Sequence, residues 1–487
     1  MTTNPRRGLA IGILLFATFM DLLDVTIVQV ALPAIGRDLQ APGAALEWVV
    51  SGYLLAFAVA LVTGGRLGDI FGRKRIFLVG IIGFTLTSAL CAGAWSLAIL
   101  ISARALQGLF AAIMVPQLLA TLQSLFTPKE RTPWYGVIGA ITGIAAVAGP
   151  LLGGLLVDAD LLGLGWRTIF LINVPIGVLI ISLARRFVPE TRSRHPLRVD
   201  LIGPLLLAAA VLCIMVPLVE GRALAWPLWL SAPLGAGAFL LALFIAHCQR
   251  RQARDGSAVL PLNLFRNRGF SAGVIIQAAF QGAMNAFLLP FVFYLQLALA
   301  YSALGAGLNL LAFSLGSMAA TAAVVPLVPR LGKHLVTTGT LLMTTGILWT
   351  FTIVSTENEA FTAGAAVLPM LLAGIGLSAI VIPLVDVALA TVPPDDAGAA
   401  AGTLTTFQQL GAAIGVAISM TVFFSNLDGD WGQASALSAL GASVTVAVIG
   451  LAISGITSLA LPPLQAVRLR QTEHEESNAP TTQPSSR

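Results

Sequence analysis

Apolar stretches long enough to cross a bilayer recur from one end of this 487-residue chain to the other, and the polar residues are gathered into short loops between them. A transmembrane helix needs roughly 20 consecutive apolar residues, and by that measure we read about fourteen spans. Their cores fall at 9–32, 46–64, 76–94, 97–122, 136–157, 168–187, 201–219, 228–247, 271–296, 304–328, 335–354, 362–390, 398–424 and 435–461. Nothing else limits the fold as strongly. Hydrocarbon offers no water to the backbone, so each segment must pair its own N–H and C=O groups or join a closed barrel. Runs of this length select helices, because a barrel strand needs only about 9–11 residues. Charged residues make up only 10% of the chain, against the ~25% typical of soluble domains. The fold class is therefore an all-α membrane protein, with no sizeable soluble domain to house an enzyme site.

Loop charges test this layout. With the N-terminus cytoplasmic, the inner loops hold Arg66, Arg73, Lys74, Arg75, Lys129, Arg131, Arg185, Arg186, Arg192, Arg194, Arg198, Arg250, Arg251, Arg254, Arg266, Arg268, Arg330 and Lys333. The outer loops hold only Arg37, Arg167 and Arg222, and Arg104 lies inside a span. Basic residues favour the cytoplasmic side, so both termini are expected inside. The net charge of +5 thus reads as topology rather than as affinity for nucleic acid. Cys91, Cys213 and Cys248 have no metal-ligand spacing, and no metal or cofactor is expected. The four histidines, His195, His247, His334 and His474, fall in loops, at span ends or in the tail and receive no role.

A weak repeat divides the chain. Gly65-Arg66-Leu67-Gly68-Asp69 after the second span is echoed by Pro329-Arg330-Leu331-Gly332-Lys333 after the tenth. The two loops correspond if two pseudo-symmetric six-helix halves flank an inserted helix pair, and internal repeats of this kind are typical of secondary transporters. The expected divisions are 1–190, 191–255 with the inserted pair, 256–465, and a disordered cytoplasmic tail at 466–487 that is rich in Ser, Thr, Glu and Pro.

Asp21 and Asp24 sit in the middle of the first span. An Asp at the bilayer centre costs about 2.5 to 3.5 kcal/mol even on mild insertion scales, so acids there point to ions or protons. The two are spaced i, i+3 and share a helix face. Asp24 and Arg104 both lie about 13 Å from the outer ends of their spans at 1.5 Å per residue, which predicts an ion pair. Pairing would hold Asp24 ionised and leave Asp21 to carry the proton. A purely structural pair between the first and fourth helices is the other reading.

The segment from Gly65 to Arg75 combines glycines, Asp69 and a basic cluster. The glycines permit a tight reversal, and Asp69 suits a helix N-terminus or arginines. Gly65, Asp69, Gly72, Arg73 and Lys74 are the candidate cytoplasmic gate. On the fifth span, Ala145, Gly149 and Gly153 form a ridge of small residues that permits close helix approach, and Pro150 removes a backbone hydrogen bond.

These segments resemble the major facilitator superfamily. Gly65 to Arg75 is similar to its loop signature, with Ile70 where a basic residue is common. Leu23-Asp24-Val25-Thr26 through Ala31-Leu32-Pro33 looks like the first-helix signature of the fourteen-span drug:proton antiporters, with Gln29 where Asn is usual. Arg104-Ala105-Leu106-Gln107-Gly108 resembles the fourth-helix signature, whose arginine is implicated in proton coupling. Trp166 through Asn173-Val174-Pro175 resembles the start of helix six, with Thr168 where Trp is common. Tyr294-Leu295-Gln296 and Gln408-Gln409-Leu410-Gly411 are also similar. In that family Gly149, Pro150, Gly153 and Gly154 would form the motif associated with antiporters rather than symporters. The resemblance also implies that Asp69 faces the start of helix thirteen after Pro393-Pro394-Asp395-Asp396 when the outside is open.

The resemblance therefore implies a proton-coupled antiporter that exports hydrophobic drugs or antibiotics across the cytoplasmic membrane by alternating access. An exporter of an endogenous metabolite, lipid or siderophore on the same fold is the alternative. Proton-coupling residues would be Asp21, Asp24 and Arg104. Gln107, Phe280, Gln281, Asn285, Phe287 and Phe407 are candidates for a cavity binding a small hydrophobic or cationic drug-like substrate. Asp386 is the one acid comparable to those of relatives that expel divalent cations, so neutral, zwitterionic or monocationic drugs fit as well. The expected partners are this substrate and the lipid bilayer, with the chain a monomer and H+ the coupling ion.

Overall fold

The computed structural model describes residues 5–41, 43–193, 200–221, 227–357, 361–362, 364–390, 392, 397–427 and 432–462. Arg194, His195, Arg198, Arg222, the Pro393–Asp396 run and the tail from 466 lie outside them, as does the side chain of Lys129. Fourteen helices are long and apolar enough to cross a membrane. They are α1 (Arg6–Asp38), α2 (Ala45–Phe71), α3 (Arg73–Ala92), α4 (Leu97–Leu125), α5 (Gly136–Asp158), α6 (Gly165–Phe187), α7 (Ile202–Glu220), α8 (Leu228–Arg254), α9 (Arg268–Ala298), α10 (Ala303–Leu331), α11 (Lys333–Glu357), α12 (Val367–Ala390), α13 (Ala399–Asn426) and α14 (Gln433–Ser458). No strand occurs among the described residues. Each expected span corresponds to one of these helices.

Packing repeats with a shift of eight spans. Helix α1 packs on α5 and α6, α2 on α4, and α3 on α4 and α6; α9 packs on α13 and α14, α10 on α12, and α11 on α12 and α14. The halves meet through α2 against α13 and α5 against α10, two contacts that exchange under the same pseudo-two-fold relation. The inserted α7 and α8 pack on each other, and α7 lies against α2 and α13, one helix from each half. Asp200, just before α7, pins the pair: it accepts hydrogen bonds from Gly203 N (3.1 Å) and lies 2.9 Å from His247 Nε2 on α8. Burial pushes its carboxyl up, but the Gly203 N–H and His247 outweigh this and hold it below the usual carboxylate range.

Successive helices alternate in direction, so one end of the bundle carries Arg66, Arg73, Lys74, Arg75, Arg185, Arg186, Arg250, Arg251, Arg266, Arg268, Arg330 and Lys333, whereas Arg37 and Arg167 mark the other among the described residues. We call these the basic end and the opposite end. Two interruptions stand out. Helix α4 breaks at Val115–Pro116, where proline removes a donor. Helix α9 closes in a π-turn at Tyr294–Ala298, starting four residues past Pro290.

The expected loop from Gly65 to Arg75 is mostly helix. Helix α2 runs through Phe71 and α3 starts at Arg73, leaving Gly72 alone as the turn. Gly72 has φ +105°, open only to glycine at little cost. Gly64 and Gly68 serve packing instead: a Cβ at Gly64 would meet the α4 backbone at Ala112, and one at Gly68 would meet Gln117. The Gln117 amide donates to Gly64 O (2.9 Å) and Ile113 O (3.0 Å), tying the end of α2 to the second segment of α4.

Candidate functional site

Asp24 is the hub of a polar cluster built from five helices of the first half. The Arg104 Nη1 on α4 pairs with Asp24 Oδ2, and the two side chains are 1% and 0% exposed. Gln107, one turn along α4, donates to Asp24 Oδ1 (3.1 Å) and accepts from Arg104 Nη1 (2.9 Å). Asn173 on α6 donates to the same Asp24 oxygen (2.8 Å) and lies 3.0 Å from Ser88 Oγ on α3. Arg104 Nε donates to Val49 O on α2 (3.2 Å). A buried charge pair persists only when its remaining lone pairs and protons are also satisfied, and here neutral amides and a backbone carbonyl supply that.

Asp21 lies one turn before Asp24, buried, and accepts a hydrogen bond from the Tyr53 hydroxyl on α2. The Tyr53 ring lies under the Arg104 guanidinium, 4.2 Å from its centroid, so this one residue touches both the lone carboxyl and the cation of the pair. The pocket thus holds two carboxyls and one guanidinium. Tyr53, Ser88 and Asn173 are absent from the expected site. Asn173 sits inside the Trp166–Pro175 motif, which was the available signal; Tyr53 and Ser88 had none.

Gly149 and Gly153 place α5 directly on α1, the helix of the two acids. A Cβ at Gly153 would lie 2.9 Å from Ile27 Cγ1 and 2.9 Å from Ile27 O, and one at Gly149 would meet Thr26. Gly154 faces the other way, against the α10 backbone at Ala303 and Leu304, and the Pro150 carbonyl lies under Gly307 of α10. The motif therefore joins α1 to the interface between halves. Gly153→Val is expected to lower stability by about 1–3 kcal/mol through overpacking against backbone that cannot yield. Thermal unfolding of the purified variant checks this, with Gly12→Ala, which meets nothing within 4 Å, as the silent control.

At the basic end, Asp69 accepts from Arg73 Nε (3.2 Å) and Nη2 (2.9 Å), and Arg73 Nη1 donates to Ala120 O (2.8 Å). Lys74 Nζ donates to Arg185 O (2.8 Å), and Glu190 accepts from the Lys74 backbone N–H (3.1 Å). Gly65 lies 3.7 Å, by its would-be Cβ, from Pro116. Arg66 crosses to the second half, donating to the carbonyls of Ser257 and Ala258 ahead of α9. At the opposite end, Asp158 at the close of α5 accepts from Ala303 N (3.1 Å) and Leu304 N (3.0 Å), capping α10 across the interface.

The six expected cavity residues are not brought together. Gln107 belongs to the Asp24 cluster, because a buried ion pair recruits the nearest amide. Phe280 and Phe287 are sealed in packing, Phe287 stacked on Phe291 at 5.3 Å. Asn285 accepts from Gln29 Nε2 of α1 (3.3 Å) and donates to the Gln281 backbone carbonyl one turn back on α9 (2.9 Å), so the amides of Gln29 and Asn285 meet at the seam between halves. Gln296 from the π-turn adds a bond to Val30 O (2.8 Å). Phe407 packs on Phe265 (6.0 Å between centroids) and faces a separate, nearly all-apolar cavity of about 430 Å³, walled by Val62 of α2, Leu207 of α7, Phe244 of α8 and Thr406 of α13.

Known proteins accord with this architecture. The profile of the Major Facilitator Superfamily matches residues 14–416. The chain is 38% identical over 452 residues to a protein described as a probable actinorhodin transporter of Streptomyces coelicolor, covering 90% of this chain and 78% of that one. It is 34% identical over 459 residues to a cephamycin export protein of Amycolatopsis lactamdurans, covering 92% and 91%. Among solved structures, a D-xylose-proton symporter superposes with a TM-score of 0.65 at 15% identity, over 93% of this chain and 98% of that one, a likeness of fold alone.

Proposed function

The chain belongs to the Major Facilitator Superfamily, and we propose that it is a proton-coupled antiporter that exports hydrophobic drugs or antibiotics across the cytoplasmic membrane by alternating access. The observation that carries the coupling is the ratio of charges in the α1–α4 pocket: one guanidinium faces two buried carboxyls. Arg104 satisfies Asp24, and Asp21 with only a tyrosine hydroxyl is the group that takes and yields H+. Neutralising a charge in a dry site biases a bistable bundle. The export direction rests on the Amycolatopsis lactamdurans relative, a cephamycin export protein, alongside the probable actinorhodin transporter of Streptomyces coelicolor. The basic end is cytoplasmic in this reading, following the asymmetry of Lys and Arg.

Alternating access assigns the two clasps. Arg66 on the Ser257–Ala258 carbonyls closes the basic end, and Asp158 on the α10 N-terminus closes the opposite one. Substrate enters between α1 and α9, where Gln29 and Asn285 present amides among buried aromatics. Polar groups few in number and set in an apolar surround suit amphipathic ligands.

Proton flux into proteoliposomes under an imposed gradient tests the proposal, with a panel of cationic, neutral and acidic drugs. Drug-dependent flux supports it and names the charge class; no flux from folded protein with any drug overturns it. Asp69→Asn, which keeps the Arg73 hydrogen bond but removes the charge, is expected to raise the fraction of molecules open at the basic end. Distances between spin labels on the α2–α3 turn and at the start of α13 read this directly, and an unchanged distribution excludes Asp69 from the gate.

A further inference from the structure

Helix α2 carries a buried acid that the coupling cluster does not use. Glu47 lies one turn from the opposite end, its side chain 0% exposed, and neither carboxyl oxygen has a hydrogen-bond partner. Ser51, four residues on and therefore on the same helix face, is equally buried, and its hydroxyl is also without a partner. Three unsatisfied oxygens thus share one patch of helix surface. The last residue of α7 comes to the same place: Trp48 Nε1 donates to Glu220 Oε1 (3.3 Å), and Glu220 is near enough to Glu47 for the two charges to act on each other.

An ionised carboxylate without water, hydrogen bond or counter-ion is too costly to persist in such a site. Among the described residues, the helices packed on α2 place no cation in ion-pairing contact with it. Helix α13 has no charged residue in its span, and α7 offers only Glu220. From α4, Arg104 reaches the Val49 carbonyl but spends its charge on Asp24. The α3 basic residues lie at the other end; of the α1 groups, Asp24 pairs with Arg104, Asp21 is held by Tyr53 and Asp38 by Arg167, and Arg37, at the same end as Glu47, has an exposed side chain that forms no ion pair with it. Among the described residues no cation lies within ion-pairing distance of Glu47. We propose that Glu47, with Ser51 one turn along α2, forms a second proton-binding site, at the end of the bundle opposite the basic one and separate from the Asp21–Asp24–Arg104 cluster. The bound proton turns the carboxyl into a donor for the Ser51 hydroxyl and leaves one negative charge, that of Glu220, at the contact between the core and the inserted helix pair.

Infrared difference spectroscopy of the reconstituted full-length protein tests this without any transported drug, so it stands or falls independently of the antiport reading. The wild-type minus Glu47→Gln spectrum is expected to contain one C=O stretch of a protonated carboxyl, shifted in D2O and lost as pH is raised. Ser51→Ala is expected to displace that band and Asp21→Asn to leave it in place. Glu47→Asp supplies a second variant that keeps the chemistry if Glu47→Gln folds poorly. No such band at any pH, in either variant comparison, overturns the proposal. Removal of the wild-type band by Na+ at fixed pH also overturns it, since the site would then be a sodium site.

Discussion

Arg104→Gln lowers the stability of the purified protein by about 3–5 kcal/mol, the scale for stranding one member of a buried ion pair. Asp24 would keep the amides of Gln107 and Asn173 but lose its only cation. Asp24→Asn alone costs a similar amount, because a guanidinium that is 1% exposed is then left with no carboxylate in direct contact. The double variant Arg104→Gln, Asp24→Asn recovers most of the loss: with both charges gone, an Asn–Gln pair can be satisfied by the same surrounding amides and the Val49 carbonyl. Unfolding of the four proteins in one detergent gives the cycle. Recovered folding without recovered drug-driven proton flux assigns the pair a role in coupling; recovery of both reduces it to a structural tie between α1 and α4.

Asp21→Asn behaves in the opposite way. Tyr53 keeps an acceptor at this position, so stability changes by no more than about 1 kcal/mol, the worth of one ordinary hydrogen bond. Drug-driven proton flux falls by roughly 10²-fold or more, as is usual when a positioned proton-transfer group is removed. Drug binding persists, because the side chain is buried against Tyr53 and lies about 12 Å along α1 from Gln29 at 1.5 Å per residue, away from the Gln29–Asn285 seam. Tyr53→Phe is the graded companion: it removes the hydrogen bond and keeps the ring under Arg104, so flux drops less and its dependence on pH shifts. An Asp21→Asn variant with normal coupling would move the proton to another carboxyl.

Depth along the chain was the legible part of the buried acid cluster. Asp24 and Arg104 sit about 13 Å from the same face of the membrane at 1.5 Å per residue, and two opposite charges at one depth in low dielectric find each other. What depth leaves open is rotation about each helix axis. Gln107 was therefore placed in a substrate cavity, when the turn of α4 that presents Arg104 to Asp24 presents Gln107 as well. Phe407 was misplaced for the same reason, its face of α13 being turned to α7 and α8. Sequence alone does not mark Glu47, because an acid near the start of a span ordinarily reaches the headgroups; its burial comes from the packing of α2, with the end of α7 brought to the same place.

Helix number, alternating direction and the concentration of basic residues at one end follow from the chain itself, because the bilayer acts on each segment locally, through length, hydropathy and flanking charge. The repeat of Gly65-Arg66-Leu67-Gly68 at Pro329 to Gly332 likewise carried the two-fold arrangement before any contact was known. Contacts between helices decided the rest: that α2 extends to Phe71 and turns on Gly72 alone, that Asn173 and Tyr53 complete the acid pocket, and that α7 of the inserted pair packs over α2. These depend on which face of each helix meets which neighbour, a property of small-residue ridges and close-packed side chains that no single segment contains.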